Sequence, residues 1–166
     1  MNRLDTADAR SLEGYSVLVT RPEDQARDLL AGIRDRGGQA VFAPMIVITP
    51  RLEDPAPQAL IARLADFNEV YSRSAPAAPL GEVLRAHRVD TPDVGLVTSL
   101  ESLSNLAAQI DAEKLDRLYD LPLLVVGERT AREVARLGFT RPPGVLDNPG
   151  DGSLLAALEG WVRDER

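Results

Sequence analysis

Short runs of aliphatic and β-branched residues alternate along the chain with segments whose apolar residues recur at helical spacing. Such alternation is typical of a parallel sheet flanked by helices. The pattern therefore predicts an α/β fold with a five-stranded, doubly wound parallel sheet, of flavodoxin-like order 2-1-3-4-5 and with helices on both faces. The predicted strands are residues 17–20, 40–43, 94–98, 121–126 and 139–145.

The stretch between the second and third predicted strands breaks this regular alternation. It is rich in proline at first, then shows a helical pattern at residues 58–67, fits a short strand at residues 69–72 and returns to a helix at residues 77–86. We predict a single α/β domain over residues 15–166, preceded by a polar tail at residues 1–14. A linker with a helix, residues 45–70, interrupts this domain.

Two helix starts carry recognisable signals. Pro22 suits the first position of the helix after the first strand, and Glu23 and Asp24 place negative charge at the positive end of its dipole. Further along, Thr130 and Glu133 have the spacing of a capping box, which predicts Thr130 as the N-cap and Glu133 as the third residue of the helix after the fourth strand.

Composition excludes several classes of function. The chain of 166 residues has 19 Lys and Arg against 26 Asp and Glu, and no basic block, so we expect no nucleic-acid partner. It has no cysteine and one histidine, His87, so we expect neither a metal site nor thiol chemistry. No apolar run approaches the roughly 18 residues that a membrane span needs. We therefore expect a cytoplasmic protein without a membrane partner, and the lack of cysteine agrees with a reducing compartment.

Hydroxyl-bearing and basic residues follow three of the predicted strands. Thr20 and Arg21 follow the first, Thr98 and Ser99 the third, and Thr130 lies shortly after the fourth. In an open α/β sheet the ligand crevice lies beyond the carboxyl ends of the strands. Helix N-termini at the same edge present backbone N–H groups, which suit carboxylates or phosphates. These five residues are our candidates for ligand binding.

Each candidate also has an ordinary structural explanation. Threonine and serine at helix starts are common N-caps, and Arg21 can equally be a surface residue. His87, near a predicted helix end, is expected to be a surface residue. Tyr71 can be a half-buried strand aromatic. The segment T-R-P-E-D-Q-A after the first strand contains neither G-x-G-x-x-G nor G-x-x-x-x-G-K, so a dinucleotide or P-loop site is not expected. A phosphoacceptor site of the receiver type is not expected either, because Thr98 stands where an acidic residue is needed.

Four segments, taken in order, resemble uroporphyrinogen-III synthases. Residues 17–25 (V-L-V-T-R-P-E-D-Q) look like the family's opening, and residues 70–76 (V-Y-S-R-S-A-P) resemble its Y-x-R-x-x-P segment. Residues 97–103 (V-T-S-L-E-S-L) and 126–131 (V-G-E-R-T-A) resemble its late T-S-x-x-x-L and G-x-x-T-A elements. Family members carry a second domain inserted after the second strand of the first. Here only residues 45–70 stand at that position, so the chain resembles the first domain with most of the inserted domain missing.

The resemblance implies a lyase of porphyrin, tetrapyrrole and heme biosynthesis that needs no cofactor. Its substrate would be hydroxymethylbilane, a polycarboxylate that such enzymes convert to uroporphyrinogen III with loss of water, inversion of the last pyrrole ring and ring closure. By the matched motifs, Tyr71 would be the phenol that assists departure of the hydroxyl, and Thr98, Ser99 and Thr130 would contact acetate or propionate arms. Thr20 and Arg21 would supply further groups at the same edge.

The shortness of the chain leaves two other interpretations open. Without most of the second domain, the chain can be a non-catalytic α/β module that binds an anionic ligand or a protein partner. The surface left by the missing domain can also drive formation of an oligomer.

Overall fold

The computed structural model describes residues 10–50, 71–74 and 78–166, with the backbone alone described at residues 49, 50 and 71–74. Secondary structure alternates along these ranges between short strands and helices. In chain order the elements are β1 (Ser16–Val19), α1 (Glu23–Asp35), β2 (Gln39–Phe42), β3 (Val47–Pro50), β4 (Tyr71–Ser74), α2 (Leu80–Ala86), β5 (Val94–Val97), α3 (Leu100–Glu113), a 3₁₀ helix (Asp116–Asp120), β6 (Leu123–Val126), α4 (Glu128–Arg136), β7 (Gly144–Leu146) and α5 (Asp151–Glu165).

Five strands form one parallel sheet. Strand β1 pairs with both β2 and β5, and β6 pairs with both β5 and β7, which gives the spatial order β2-β1-β5-β6-β7. Every residue of β1 and β5 is buried, as expected for central strands of a parallel sheet. The predicted α/β fold with a five-stranded parallel sheet is therefore confirmed.

The side chains of the sheet enter two separate apolar clusters. In β1, Leu18 belongs to one cluster, whereas Val17 and Val19 belong to the other. Successive side chains of a strand point to opposite faces, which explains the separation. The first cluster includes residues of α2, α3 and α4, and the second includes residues of α1 and α5. Examples of helical residues are Leu84, Leu106 and Val134 in the first cluster and Leu29, Ile33 and Leu158 in the second.

Strands β3 and β4 form a separate antiparallel ribbon, with Val47 opposite Ser74 and Pro50 opposite Tyr71. The sequence predicted a short strand at residues 69–72, but it predicted neither β3 nor the pairing. The predicted helix at residues 58–67 lies outside the described residues. Because Pro50 and Tyr71 are opposite each other, the two ends of the segment between them are adjacent.

The predicted capping box at Thr130 is wrong. Helix α4 begins at Glu128, and its N-cap is Gly127, which has φ 88° and makes no side-chain cap. Glycine adopts positive φ without steric cost, so the chain turns from β6 into the helix three residues earlier than predicted. Thr130 consequently lies inside the first turns of the helix and is buried.

Helix α1 follows the sequence signals closely. Its first turn contains Glu23 and Asp24, as predicted. Pro22 is the N-cap and not the first helical residue, so the helix begins one residue later than predicted. The helix buries its apolar face against the sheet and approaches α5 closely at Gly32. A Cβ atom on Gly32 would lie 2.6 Å from Cδ1 of Leu155.

Part of the predicted N-terminal tail packs against the domain. Leu12 is fully buried, and its N–H donates to the carbonyl of Arg36. Next to it, the Ser11 hydroxyl and Nε of Arg36 both donate to Oε1 of Glu159, at 2.8 and 2.6 Å. This network joins the start of the described chain to the end of α1 and to α5.

We predict opposite effects for two glycine-to-alanine changes in helices. Gly160→Ala should stabilise the protein by about 0.5–1 kcal/mol, because alanine is the better helix former and nothing lies within 4 Å of its Cβ. Gly32→Ala should destabilise it by about 1 kcal/mol or more, because Leu155 must repack. Urea unfolding measures both free energies, and equal stabilisation by the two changes would contradict the packing of α1 on α5.

We predict that Glu159 contributes a pH-dependent part of the stability. Burial tends to raise the pKa of Glu159, but the hydrogen bonds from Ser11 and Arg36 outweigh it and lower the pKa below the usual 4.5. A lowered pKa in the folded state means that this stability is present above the unfolded pKa and is lost as pH falls through the folded pKa. Glu159→Gln should therefore cost about 1–3 kcal/mol at neutral pH, and the cost should shrink as pH falls through the folded pKa. Urea unfolding across pH tests this, with the exposed Glu165→Gln as control, and a pH-independent loss would contradict it.

Candidate functional site

The carboxyl ends of β1 and β5 meet at a cleft of about 270 Å³. The two strands are adjacent and parallel, with Val19 opposite Leu96, so the loops that follow them leave the sheet side by side. The described residues that line the cleft are Arg21, Pro22, Gln25, Ile46, Ile48, Thr98, Ser99, Glu101 and Pro149. This is the position at which an open α/β sheet presents its ligand crevice. The structure thus brings together three of the predicted binding residues, Arg21, Thr98 and Ser99.

Arg21 is largely buried in the wall of this cleft. Only 12% of its side chain is exposed, and its Nη1 donates to Oδ1 of Asp151 at 2.8 Å. Its Nε is buried and has no hydrogen-bond acceptor in the part of the chain that the structure describes. The interpretation of Arg21 as a solvated surface residue is therefore wrong.

Ser99 is the N-cap of α3. Its Oγ accepts from the backbone N–H of Ser102 at 3.1 Å, and its hydroxyl donates to Oγ of Ser102 at 3.0 Å. The ordinary structural explanation of Ser99 is confirmed. Because it also lines the cleft, Ser99 places the N-terminus of α3 at the cleft wall, beside the half-buried Thr98.

Thr20 has a different environment from its neighbour Arg21. It has no exposed surface, and its hydroxyl donates to the carbonyl of Leu96 at 2.9 Å. Its own carbonyl accepts from the N–H of Met45. Thr20 thus links β1 to β5 and to the segment that leads into β3, and its hydroxyl is not presented at the cleft surface.

Thr130 and Tyr71 are not placed in the cleft by the described structure. Thr130 is 5% exposed, and none of the described lining residues comes from α4. Tyr71 begins strand β4, opposite Pro50, and its side chain lies outside the described residues. The partner strand β3 does reach the cleft, through Ile48.

Sequence reasoning missed Asp151 and the apolar side of the cleft. Ile46 and Ile48 supply that apolar side, and Pro149 approaches from the loop before α5. Asp151 stands in the first turn of α5, where an acidic residue is ordinary and gives no sign of a distant partner. Arg21 and Asp151 are far apart in sequence, and no local pattern would have paired them.

The charges at the cleft are mixed. The guanidinium of Arg21 is its single described cationic group, and the carboxylates of Asp151 and Glu101 lie at or next to the lining. An anion bound there would find one guanidinium, the Thr98 hydroxyl and backbone N–H groups at two helix starts. The protein as a whole has a net charge of −7, so its overall field does not attract anions. A carboxylate would therefore have to be recognised by these local groups.

The described ranges contain neither a metal-binding cluster nor a membrane-spanning helix. They contain no group of three or more His, Cys, Asp or Glu side chains that could hold a metal ion. None of the helices in the described ranges is both long enough and apolar enough to cross a membrane.

No protein-family model matches the sequence. The fold and the cleft therefore define the protein only as an α/β domain with a small, partly cationic crevice at the carboxyl edge of its parallel sheet.

We predict that the two threonines at this edge differ in their contribution to stability. Thr20→Val removes a buried hydrogen bond to Leu96 and should cost about 1–2 kcal/mol. Thr98→Val changes a half-buried residue at the cleft wall and should change stability by less than about 0.5 kcal/mol. Urea unfolding measures the free energy of unfolding of both variants. An equal loss in the two variants would contradict the prediction that only the Thr20 hydroxyl stabilises the fold.

Proposed function

We propose that this chain is an α/β domain of the uroporphyrinogen-III synthase type that binds hydroxymethylbilane in the cleft between the ends of β1 and β5. One observation carries the proposal. Arg21 and the pair Thr98 and Ser99 belong to two separate segments that resemble the family, and they line the same cleft. Residues that match by motif are thereby neighbours in space.

A doubly wound, flavodoxin-like arrangement with helices on both faces is part of this proposal. It is supported by the strand order, in which the chain runs from β1 outward to β2 and then returns to the other side of β1 with β5. It is further supported by the two apolar clusters, which contain different helices. A crevice between β1 and β5 lies where the strand order reverses, which is the usual ligand position.

The antiparallel ribbon supports the proposed position of the lost domain. It follows β2, where the family carries its inserted domain, and its strands β3 and β4 place Pro50 opposite Tyr71. An insertion between these residues would leave the α/β domain and return to it at one place. The same ribbon contributes Ile48 to the cleft, so an inserted domain would stand next to the proposed site.

The proposed chemistry uses hydroxyl, guanidinium and amide groups. Arg21 and Thr98, with the backbone N–H groups at the start of α3, hold acetate and propionate arms of the substrate. The phenol of Tyr71 donates its proton to the departing hydroxyl, which leaves with its bonding electrons as water. Ring closure then follows on a substrate whose arms are held in place. We propose a cytoplasmic location for this reaction and no cofactor.

A second candidate function is a non-catalytic module that binds an anionic ligand or a protein partner. The burial of Thr20 and Thr130 favours it, because it leaves three of the five predicted binding residues at the cleft. Such a module would use the same guanidinium and helix starts without turning a substrate over.

A cyclisation assay tests the proposal. The purified chain is incubated with hydroxymethylbilane, and the type III product is separated from the type I isomer that forms spontaneously. We expect type III product from the unmodified chain and a rate at least about 100-fold lower for Tyr71→Phe, because a positioned proton donor contributes that much. Tyr15→Phe is the matched control, since Tyr15 lies at the amino end of β1 against Trp161.

Type I product alone would remove the catalytic proposal. Retained binding of a carboxylate ligand in that case would support the module that binds without turnover.

A further inference from the structure

Arg21 is already paired with a carboxylate of its own chain. Nη1 of Arg21 lies 2.8 Å from Oδ1 of Asp151, and the two side chains are 12% and 35% exposed. Arg21 comes from the end of β1 and Asp151 from the start of α5, so the pair bridges two elements at the rim of the cleft. Any ligand carboxylate that is to pair with Arg21 must compete with Asp151.

The pair leaves Arg21 incompletely satisfied. Its Nε is buried and has no acceptor within the described part of the chain. A guanidinium can donate two parallel N–H bonds to one carboxylate. Here Asp151 accepts a hydrogen bond from Nη1 alone. A buried donor without an acceptor costs free energy, and the pair with Asp151 leaves that cost in place.

The positions of the two residues favour an exchange of partners. Asp151 lies in the first turn of α5, where the helix dipole stabilises a carboxylate even without Arg21. Arg21 directly precedes the N-cap of α1, where that helix's dipole favours an anion nearby. Separation of the pair therefore leaves Asp151 in a favourable place and opens an anion position at Arg21.

We propose that Asp151 is a built-in competitor for the ligand: its carboxylate holds Arg21 when the cleft is empty and gives way when an oligocarboxylate binds. The inference deepens the proposed function, since it rests on carboxylate binding at the cleft, but it does not depend on catalysis. It assigns to Asp151 a role in setting affinity and specificity.

Competition by Asp151 also predicts selectivity. A monocarboxylate gains only the contact that Asp151 already makes, and it is repelled by the displaced carboxylate. An oligocarboxylate makes further contacts with Thr98 and the start of α3, which offset that repulsion. Citrate should therefore bind, and acetate should not bind measurably at the same concentration.

The test is calorimetric titration of citrate into the full chain and its variants. Asp151→Asn should bind citrate about three- to ten-fold more tightly than the unmodified chain, in the range expected for removal of a partly exposed competing charge. Asp147→Asn is the matched control: Asp147 is exposed on the loop before α5, and its loss changes the net charge equally. It should change the affinity less than about two-fold, because Asp147 is exposed and does not contact Arg21, and solvent and salt screen its charge. Asp151→Ser, which retains a residue suited to a helix start, should behave like Asp151→Asn.

The gain in affinity should require Arg21. In the Arg21→Gln background, the further change Asp151→Asn should not tighten binding.

Each other outcome overturns the inference. Unchanged or weaker binding by Asp151→Asn and Asp151→Ser would show that Asp151 does not compete. Equal tightening by Asp147→Asn would show a general effect of charge. Absence of citrate binding by every protein would remove the anion site itself. If only the cyclisation assay fails, the catalytic proposal is removed but competition between Asp151 and the ligand for Arg21 is not. Failure of the catalytic proposal can therefore be told apart from failure of the inference about Asp151.

Discussion

The parallel pairing of β1 with β5 is the constraint on which the site depends. It places the ends of two strands that are distant in sequence side by side, so that the loops carrying Arg21 and Thr98 share one cleft. The buried hydrogen bond from Thr20 to the carbonyl of Leu96 joins the same two strands at that end. Without this pairing, the helix starts would be separate, ordinary N-termini.

The regular elements could be predicted because their signals are local. Helix α1 buries Ala26, Leu29, Leu30 and Ile33, which recur at helical spacing in the sequence, and β1 and β5, which are apolar runs, are buried along their whole length. The β3 and β4 ribbon was missed because it depends on pairing between Val47 and Ser74, for which the intervening sequence gives no register. The start of α4 was missed because Gly127 at positive φ begins a helix without any side-chain cap.

The candidate site could be located only to the level of a sheet edge. The rule that ligands bind beyond the ends of parallel strands placed Arg21 and Ser99 correctly beside one cleft. It could not tell that Thr20 is buried while Arg21, the next residue, lines the cleft, because that depends on the bond to Leu96. The same rule could not predict Asp151 as a partner of Arg21, because their contact depends on where α5 packs.

Binding of carboxylates at the carboxyl edge between β1 and β5 can be tested by a map of backbone amide chemical shifts during titration of the isotope-labelled chain with citrate. We expect the largest changes at Arg21, Thr98 and Ser99. Exposed arginines also line a second pocket, and the largest changes there would contradict binding between β1 and β5. Those arginines are Arg85, Arg88 and Arg117.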